Sequence, residues 1–580
     1  MTENYEALIW RDHDKKWLHF RNPLRFETAY TLEGIPTLLA RVEAAVEGDG
    51  LWAAGFVSYE AAAAFDNALV THTPDGFPLA CFALYRKPEE LSSIVNSDYP
   101  ASIPDWDPLI TRPEYDRSFQ RIKELIASGD TYQVNYTFQL AAELNYDPRQ
   151  FFDAIVSAQP PSYAAYMETP DHTICSFSPE LFFERHGHEI QCRPMKGTAP
   201  RGLTYGDDLD IAETLLKSEK NRAENVMIVD MVRNDLGRIA VRGSVAVPDL
   251  WSIEQYPSIW QMVSTVTAET KSSLTDVFKA LFPCASITGA PKARTMEIIR
   301  ELEPYPRHLY TGCIGYLAPG NEACFNVAIR TVTVEKKSGL AEYGVGGGIV
   351  WDSTNRDEYD ECHLKARVLV PVPHFSLLET VLWERREGYF LLDRHLERLQ
   401  RSATYFNYYL SSSLLEALLE EKAENFTEDR YRVRILVEKD GTLRIEETAL
   451  YPDDSDSKPF RVLLADEPVD RQSPFLYHKT TQREVYEAAR KGHADCDDVL
   501  LFNGLRELTE STIANIVLEI DGVLCTPPVD CGLLAGTFRQ ELLECGEIVE
   551  RTILFDDLRN CDALYLINSV RKWKRAVLVG

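Results

Sequence analysis

The sequence predicts a mixed α and β protein of more than one domain: an α+β domain to about residue 370, then a two-lobed α/β domain over residues 371–580. A chain of 580 residues is longer than one hydrophobic core organises, so two to four domains are expected. Helix-type and strand-type apolar spacings alternate along it. The run VLVPVP, Val368 to Pro373, sets two prolines where one pattern stops and another starts, which puts the main boundary near residue 371.

Ser93 to Pro113 (SIVNSDYPASIPDWDPLITRP) reads as a linker or long surface loop, being rich in Pro, Ser and Asp. Phe119, Ile122 and Ile126 then share one helical face, with Gly129 as the stop. Tyr132, Val134, Tyr136, Phe138 and Leu140 alternate with mostly polar residues and predict a half-buried strand. Ile211 to Leu236 is expected as one long amphipathic helix. The loop YPDDSDSK, Tyr451 to Lys458, divides the second domain into its lobes, and NIVLEIDGVLCTPP predicts a hairpin turning on Asp-Gly.

The formal net charge of −29 argues against a nucleic-acid partner. A small anionic substrate stays admissible, because a metal ion and a few Arg or Lys reverse the potential locally. No apolar run is long enough to span a membrane, and the N-terminus has no signal core. The 12 cysteines contain no CxxC pair, which fits a reducing, cytoplasmic setting rather than zinc or disulfides.

Several segments of the first domain carry chemistry. KNRAENVMIVDMVRND holds Glu224, and EYDECHLKA holds Glu358 and Glu361 one helical turn apart. GVGGGIV is a glycine run whose backbone N–H groups are free to approach a carboxylate. FNVAIRT, SITGAPKAR, GDTYQVN, SFSPELFFE and RPMKGTAPR complete the set. Together, residues 115–370 resemble the chorismate-binding enzymes, above all aminodeoxychorismate synthase component I, and residues 1 to about 95 are similar to that family's N-terminal part. The resemblance implies a large antiparallel β core like that of anthranilate synthase component I. It implies Glu224 and Glu361 as Mg²⁺ ligands, a donor set that suits a hard cation. It implies a substrate pocket of Gln133, Thr288, Tyr310, Arg330, Gly346, Gly347, Gly348 and Lys365. Glu180 matches the family's general acid and Lys196 the nucleophile of aminodeoxychorismate synthase, where anthranilate synthase has alanine. Gln133 stands where the water-adding members carry lysine; an amide cannot deprotonate water, so ammonia is favoured. Gln261 stands where many relatives have histidine. The chain shows no glutaminase nucleophile, so the resemblance implies a separate glutamine amidotransferase partner, or use of free ammonia at high concentration.

Beyond residue 371, FLYHKTTQREVYEAAR, ELTESTIANIV, LLDRHLERLQRSA and LLAGTFRQELL resemble the fold-type IV pyridoxal-phosphate aminotransferase family, in particular aminodeoxychorismate lyase. That resemblance implies Lys479 as the Schiff-base lysine, Glu510 at the pyridine nitrogen with Asn515 beside it, and Arg398, Gly536 and Thr537 at the phosphate. Arg434, in RYRVRILV with Arg430 and Arg432, matches a substrate-binding position. The implied function is 4-aminobenzoate formation from chorismate and ammonia. The alternatives are an anthranilate synthase-like enzyme, a transaminase, or a synthase whose C-terminal part only forms a homodimer.

Overall fold

The computed structural model describes residues 5–94, 104–158, 161–366, 369, 374–451, 458–493 and 495–579. The chain divides into two compact units, one of Met1–Ala199 with Thr214–Val372, the other of Pro200–Glu213 with Pro373–Gly580. Residues 95–103 of the 93–113 linker, the VLVPVP boundary except Leu369, and residues 452–457 of the lobe-dividing loop lie outside the described residues.

The first unit is built on two ten-stranded sheets. One runs from Gln133–Glu143 through Leu340–Ile349, Thr331–Glu335, His172–Ser178 and Tyr163–Glu168 to the N-terminal hairpin Glu6–Arg11 and Lys16–Arg21, each pair antiparallel. The other runs from Met195–Pro200 through Ile259–Glu269, Glu189–Arg193, Leu181–His186, Glu322–Val327 and Cys313–Ala318 to Trp52–Val57. Ile9, Phe20 and Met167 of the first sheet meet Phe56, Tyr85 and Tyr316 of the second in a common core. Helices Arg112–Ala127, Pro148–Ala158 and Lys292–Leu302 cover the outer face of the first sheet, and Gly34–Asp49, Glu219–Gly237 and Leu274–Leu281 cover that of the second. The result is an α+β fold with a large antiparallel core.

Two local expectations change. The region 211–236 is two helices, Tyr205–Lys217 and Glu219–Gly237, because the Ser218 side chain accepts the Asn221 N–H and caps a new start. The strand Gln133–Glu143 is buried on both faces rather than one: Gln133, Thr137 and Gln139 are as covered as Val134 and Tyr136. The helix Arg112–Ala127 forms as expected, opened by a Thr111–Glu114 capping box and followed by Gly129 at φ +81°.

The second unit holds a four-stranded sheet, with Leu377–Glu384 and Arg430–Val437 at its centre, and an eight-stranded sheet containing Asp498–Phe502, Asn515–Ile520 and Lys572–Leu578. These give two lobes. The hairpin Asn515–Ile520 to Val523–Thr526 turns on Asp521 and Gly522, both at positive φ, as a two-residue loop of this kind requires. Pro200–Glu213 belongs to this unit through buried contacts. Arg201 pairs with Asp208 at 2.7 Å and donates to the Tyr405 carbonyl at 2.8 Å, while the Tyr405 hydroxyl donates to the Gly202 carbonyl at 2.7 Å. Among the described residues no helix is long and apolar enough to cross a membrane, and all 12 cysteines are free.

Candidate active sites

A cavity of about 310 Å³ opens in the first unit where the two sheets present Met195–Pro200 and Leu340–Ile349. Gly346, Gly347 and Gly348 are not a turn; they lie within the strand, in register with Thr137, Tyr136 and Asn135. What they provide is missing bulk. A Cβ on Gly348 would stand 2.5 Å from Lys196 Nζ and 3.2 Å from Gln133 Nε2, and one on Gly347 would stand 2.5 Å from Glu358 Oε2. Both contacts are far inside normal separations, so glycine lets the amine and the carboxylate reach this strand.

Lys196 is held through its own backbone. Asn225 donates to its carbonyl at 3.3 Å, and Gln261 donates to the Gly197 carbonyl at 2.8 Å while accepting from Thr198 Oγ at 3.0 Å. Gln261 therefore clamps the strand that carries the lysine. Glu180 is buried in the same cavity and accepts a 2.5 Å hydrogen bond from Ser286. Burial pushes its carboxyl up to about 7, so it is protonated in part near neutrality. Arg330, at φ +50°, lines the cavity with no ion-pair partner among the described residues. Tyr310 and Lys365 line it too, Lys365 donating to the Gly346 carbonyl at 2.8 Å.

Glu224, Glu358 and Glu361 share this wall. Burial raises Glu358, and its Oε1 accepts from Ser353 at 2.6 Å. Burial opposes the ionisation of Glu361 too, but the Lys365 ammonium 2.8 Å away holds it below its ordinary range. Among the described residues no group of three or more His, Cys, Asp or Glu is arranged as a metal site. Two carboxylates on a pocket that admits water and substrate oxygens nonetheless fit the few-ligand habit of Mg²⁺, provided Glu361 exchanges Lys365 for the ion.

Two expected residues stand behind the cavity wall. Thr288 is fully buried, and its hydroxyl donates to the Cys284 and Ala285 carbonyls at 3.3 Å, closing a turn. Gln133 is fully buried with neither amide atom hydrogen-bonded. Ser286, two residues before Thr288 in SITGAPKAR, is the contact to Glu180 that sequence reasoning passed over.

A second cavity, about 790 Å³, lies in the second unit. Lys479 faces it from a buried position, and burial brings its amine down to about 8. Burial likewise pushes Glu510 up to about 7, against hydrogen bonds from the Tyr486 hydroxyl at 2.8 Å and Asn515 Nδ2 at 3.3 Å. Gly536 precedes the helix Thr537–Glu544, and a Cβ there would stand 2.0 Å from Asn515 Oδ1. Arg398 donates to both oxygens of buried Glu379, at 2.7 and 2.8 Å, and to the Ala535 carbonyl at 2.9 Å. It thus reaches the loop before Gly536 and Thr537. Arg430, Arg432 and Arg434 all line the cavity, Arg434 pairing with Glu446 at 3.2 Å. Tyr486 and Arg483, from the segment that carries Lys479, and Arg571 and Lys574, outside any quoted motif, join them. A pocket this basic in a chain of net charge −29 suits an anionic ligand. The amine opposite a carboxyl, beside a glycine-opened helix start and an arginine, fits a phosphorylated pyridine aldehyde such as pyridoxal phosphate.

The sheets and cavity of the first unit are of the chorismate-binding class. The family described as chorismate binding enzyme matches residues 12–371, and the chain belongs to it. Residues 376–578 match the family described as amino-transferase class IV. Aminodeoxychorismate synthase component 1 of Salmonella typhimurium is 43% identical over 270 residues, covering 46% of this chain and 59% of that protein. The protein of the same name from Bacillus subtilis is 42% identical over 272 residues, covering 47% and 57%. An anthranilate synthase component 1 of Haloarcula marismortui is 40% identical over 262 residues, covering 45% and 53%. The chain thus spans less than two-thirds of the length of these relatives. In fold, the first unit is similar to a putative 2,3-dihydroxybenzoate-specific isochorismate synthase from Bacillus anthracis, with TM-score 0.54, 19% identity, and coverage of 63% of this chain and 95% of that one. It is also similar to anthranilate synthase component I from Streptococcus pneumoniae, with TM-score 0.51, 23% identity, and coverage of 63% and 89%.

Proposed function

We propose that the chain makes 4-aminobenzoate in two reactions: residues 1–370 convert chorismate and ammonia to 4-amino-4-deoxychorismate, and residues 371–580 release pyruvate from that product. The observation that carries the reading is Lys196 in the same cavity as a buried, partly protonated Glu180, in a chain similar to aminodeoxychorismate synthase component 1 proteins.

In the first reaction Lys196 Nζ bonds to C2 of the ring while Glu180 gives its proton to the C4 hydroxyl, which leaves as water. Ammonia then bonds to C4 as the bond from C2 to Lys196 breaks, and the new ammonium returns a proton to Glu180. Chorismate and ammonia thus give aminodeoxychorismate and water. Arg330 clamps a substrate carboxylate, and the backbone at Gly346, Gly347 and Gly348 with Tyr310 and Lys365 shapes the rest of the pocket. Glu224 and Glu361 would hold Mg²⁺, whose charge offsets that of a substrate carboxylate. Gln133, an amide, does not activate water.

Pyridoxal phosphate, when bound, supplies an electron sink to the second reaction. Arg398, Gly536 and Thr537 would hold its phosphate and Glu510 its ring nitrogen, with Asn515 and Tyr486 fixing Glu510. Lys479 takes the proton from C4 of the substrate, pyruvate departs and the ring becomes aromatic. Arg434, with Arg430 and Arg432, meets the substrate's carboxylates. The nitrogen comes from glutamine through a separate amidotransferase component in the cytoplasm.

The test is chromatography of products after incubation with chorismate, Mg²⁺ and ammonium. With pyridoxal phosphate 4-aminobenzoate is expected; without it, aminodeoxychorismate. Anthranilate as the main product would contradict the reading.

A further inference from the structure

In the second unit, Lys479 belongs to a short run whose two sides are held by different elements. On its C-terminal side the strand Leu377–Glu384 does the holding. Leu378 donates its N–H to the Lys479 carbonyl at 3.0 Å, and Thr480 forms a bridge to Leu377. On its N-terminal side stands His478, a buried residue with no part in the chemistry proposed above. Its ring stacks on Tyr405, with centroids 4.1 Å apart and planes 29° from parallel, and meets Phe406 edge-on at 5.0 Å. Its Nδ1 shares a hydrogen bond with Ser402 Oγ at 3.0 Å. Tyr405 and Phe406 follow Ser402 by three and four residues, so all three share one face of the helix Leu392–Phe406.

Tyr405 is itself fixed. Its hydroxyl donates to the Gly202 carbonyl at 2.7 Å, its own carbonyl accepts from Arg201 at 2.8 Å, and that guanidinium lies 4.4 Å above its ring centroid. Asp208 accepts from Arg201 Nε and Nη2, each at 2.7 Å, which fixes the guanidinium plane.

We propose that His478 is a positioning residue for Lys479, with Tyr405 as its anchor. This rests on reading the second cavity as a pyridoxal-phosphate site. A lysine amine on a flexible four-carbon stem meets one atom of a ligand reliably only if its backbone stands still. The stacked ring fixes the residue before Lys479 and the strand fixes the Lys479 carbonyl, so the Cα between them has little room to shift. The charge state of the ring suits the task. Burial, with Arg201 nearby, brings the imidazole down to about 4, so it stays neutral and adds no positive charge next to Lys479. Arg398 comes from the same helix but has its own bonds to Glu379 and the Ala535 carbonyl, so loss of the His478 ring loosens the amine and leaves the phosphate contact.

The experiment titrates the cofactor-free full-length protein with two ligands by calorimetry. Pyridoxal phosphate joins the Lys479 amine; pyridoxine phosphate has the same ring and phosphate but no aldehyde to join it. In His478→Ala the Kd for pyridoxal phosphate is expected to rise about tenfold or more, with that for pyridoxine phosphate within about twofold of wild type. His478→Phe, which keeps a stacked ring, is expected to hold both within about threefold. Should His478→Ala fail to fold, Tyr405→Leu decides on the same pair of ligands, since it removes the stacking ring and keeps the backbone bond to Arg201. An unchanged Kd for pyridoxal phosphate in the deciding variant, or an equal loss for both ligands, overturns the positioning role. So does a His478→Phe protein as weak as His478→Ala. A wild-type protein that shows no visible absorbance of a lysine-linked cofactor overturns the reading of the second cavity instead.

Discussion

Lys196 and Glu180 share the proposed first reaction, and each has its own test. Lys196→Ala is expected to lower aminodeoxychorismate formation by at least about 100-fold, since Lys196 is the amine that reaches Gly348 in this cavity. Steady-state rates on chorismate and ammonium check it, and wild-type rates would remove Lys196 from the chemistry. Glu180 must carry a proton to act, and burial sets its carboxyl at about 7. The first reaction's kcat/KM is therefore expected to fall as pH rises through about 7, as the carboxylate form accumulates. In Glu180→Gln that limb should vanish, with a loss on the order of 10²- to 10⁴-fold. The types of both residues were readable in their motifs. Their surroundings were not: that Ser286 bonds Glu180 and that Gln261 clamps Gly197 are meetings of residues 106 and 64 positions apart.

At the scale of elements, apolar spacing carried the helix at 112–127 and the Asp-Gly hairpin, where local chemistry decides the outcome. It misread two elements that tertiary context decides. Polar Gln133, Thr137 and Gln139 are buried, Thr137 donating to Glu303 and Gln139 to the Pro306 carbonyl, and alternation cannot report what covers a polar face. Ser218 broke the region expected as one helix, and the cap was visible only as a serine within the polar run KSEKNR, followed by an acidic turn. The glycine strand gives the clearest element-level prediction. Gly348→Ala sets a methyl 2.5 Å from Lys196 Nζ and is expected to abolish most synthase activity, with the circular dichroism spectrum unchanged. Gly48→Ala, in the helix Gly34–Asp49 with nothing within 4 Å, is instead expected to be neutral or stabilising by about 0.5–1 kcal/mol by thermal melting.

At the scale of the whole molecule, the motifs fall into two sets, synthase-like before residue 371 and cofactor-like after it, and each set gathers around a cavity of its own unit. Linear order hid one thing. Pro200–Glu213, which follows the Lys196 strand directly in sequence, packs with the second unit through Arg201, Asp208 and Tyr405. No spacing rule reaches from residue 201 to residue 405. The division of labour between the two cavities is the central claim, and Lys479→Ala tests it most directly. The cofactor cavity would lose the buried Lys479 amine, while the Lys196 cavity would keep every residue assigned to it. Products from chorismate and ammonium, with Mg²⁺ and pyridoxal phosphate present, are followed by chromatography over time. The expected result is accumulation of aminodeoxychorismate at the wild-type rate with 4-aminobenzoate lowered on the order of 10²- to 10⁴-fold or more. Appearance of 4-aminobenzoate at the wild-type rate, with no other lyase present, would contradict it.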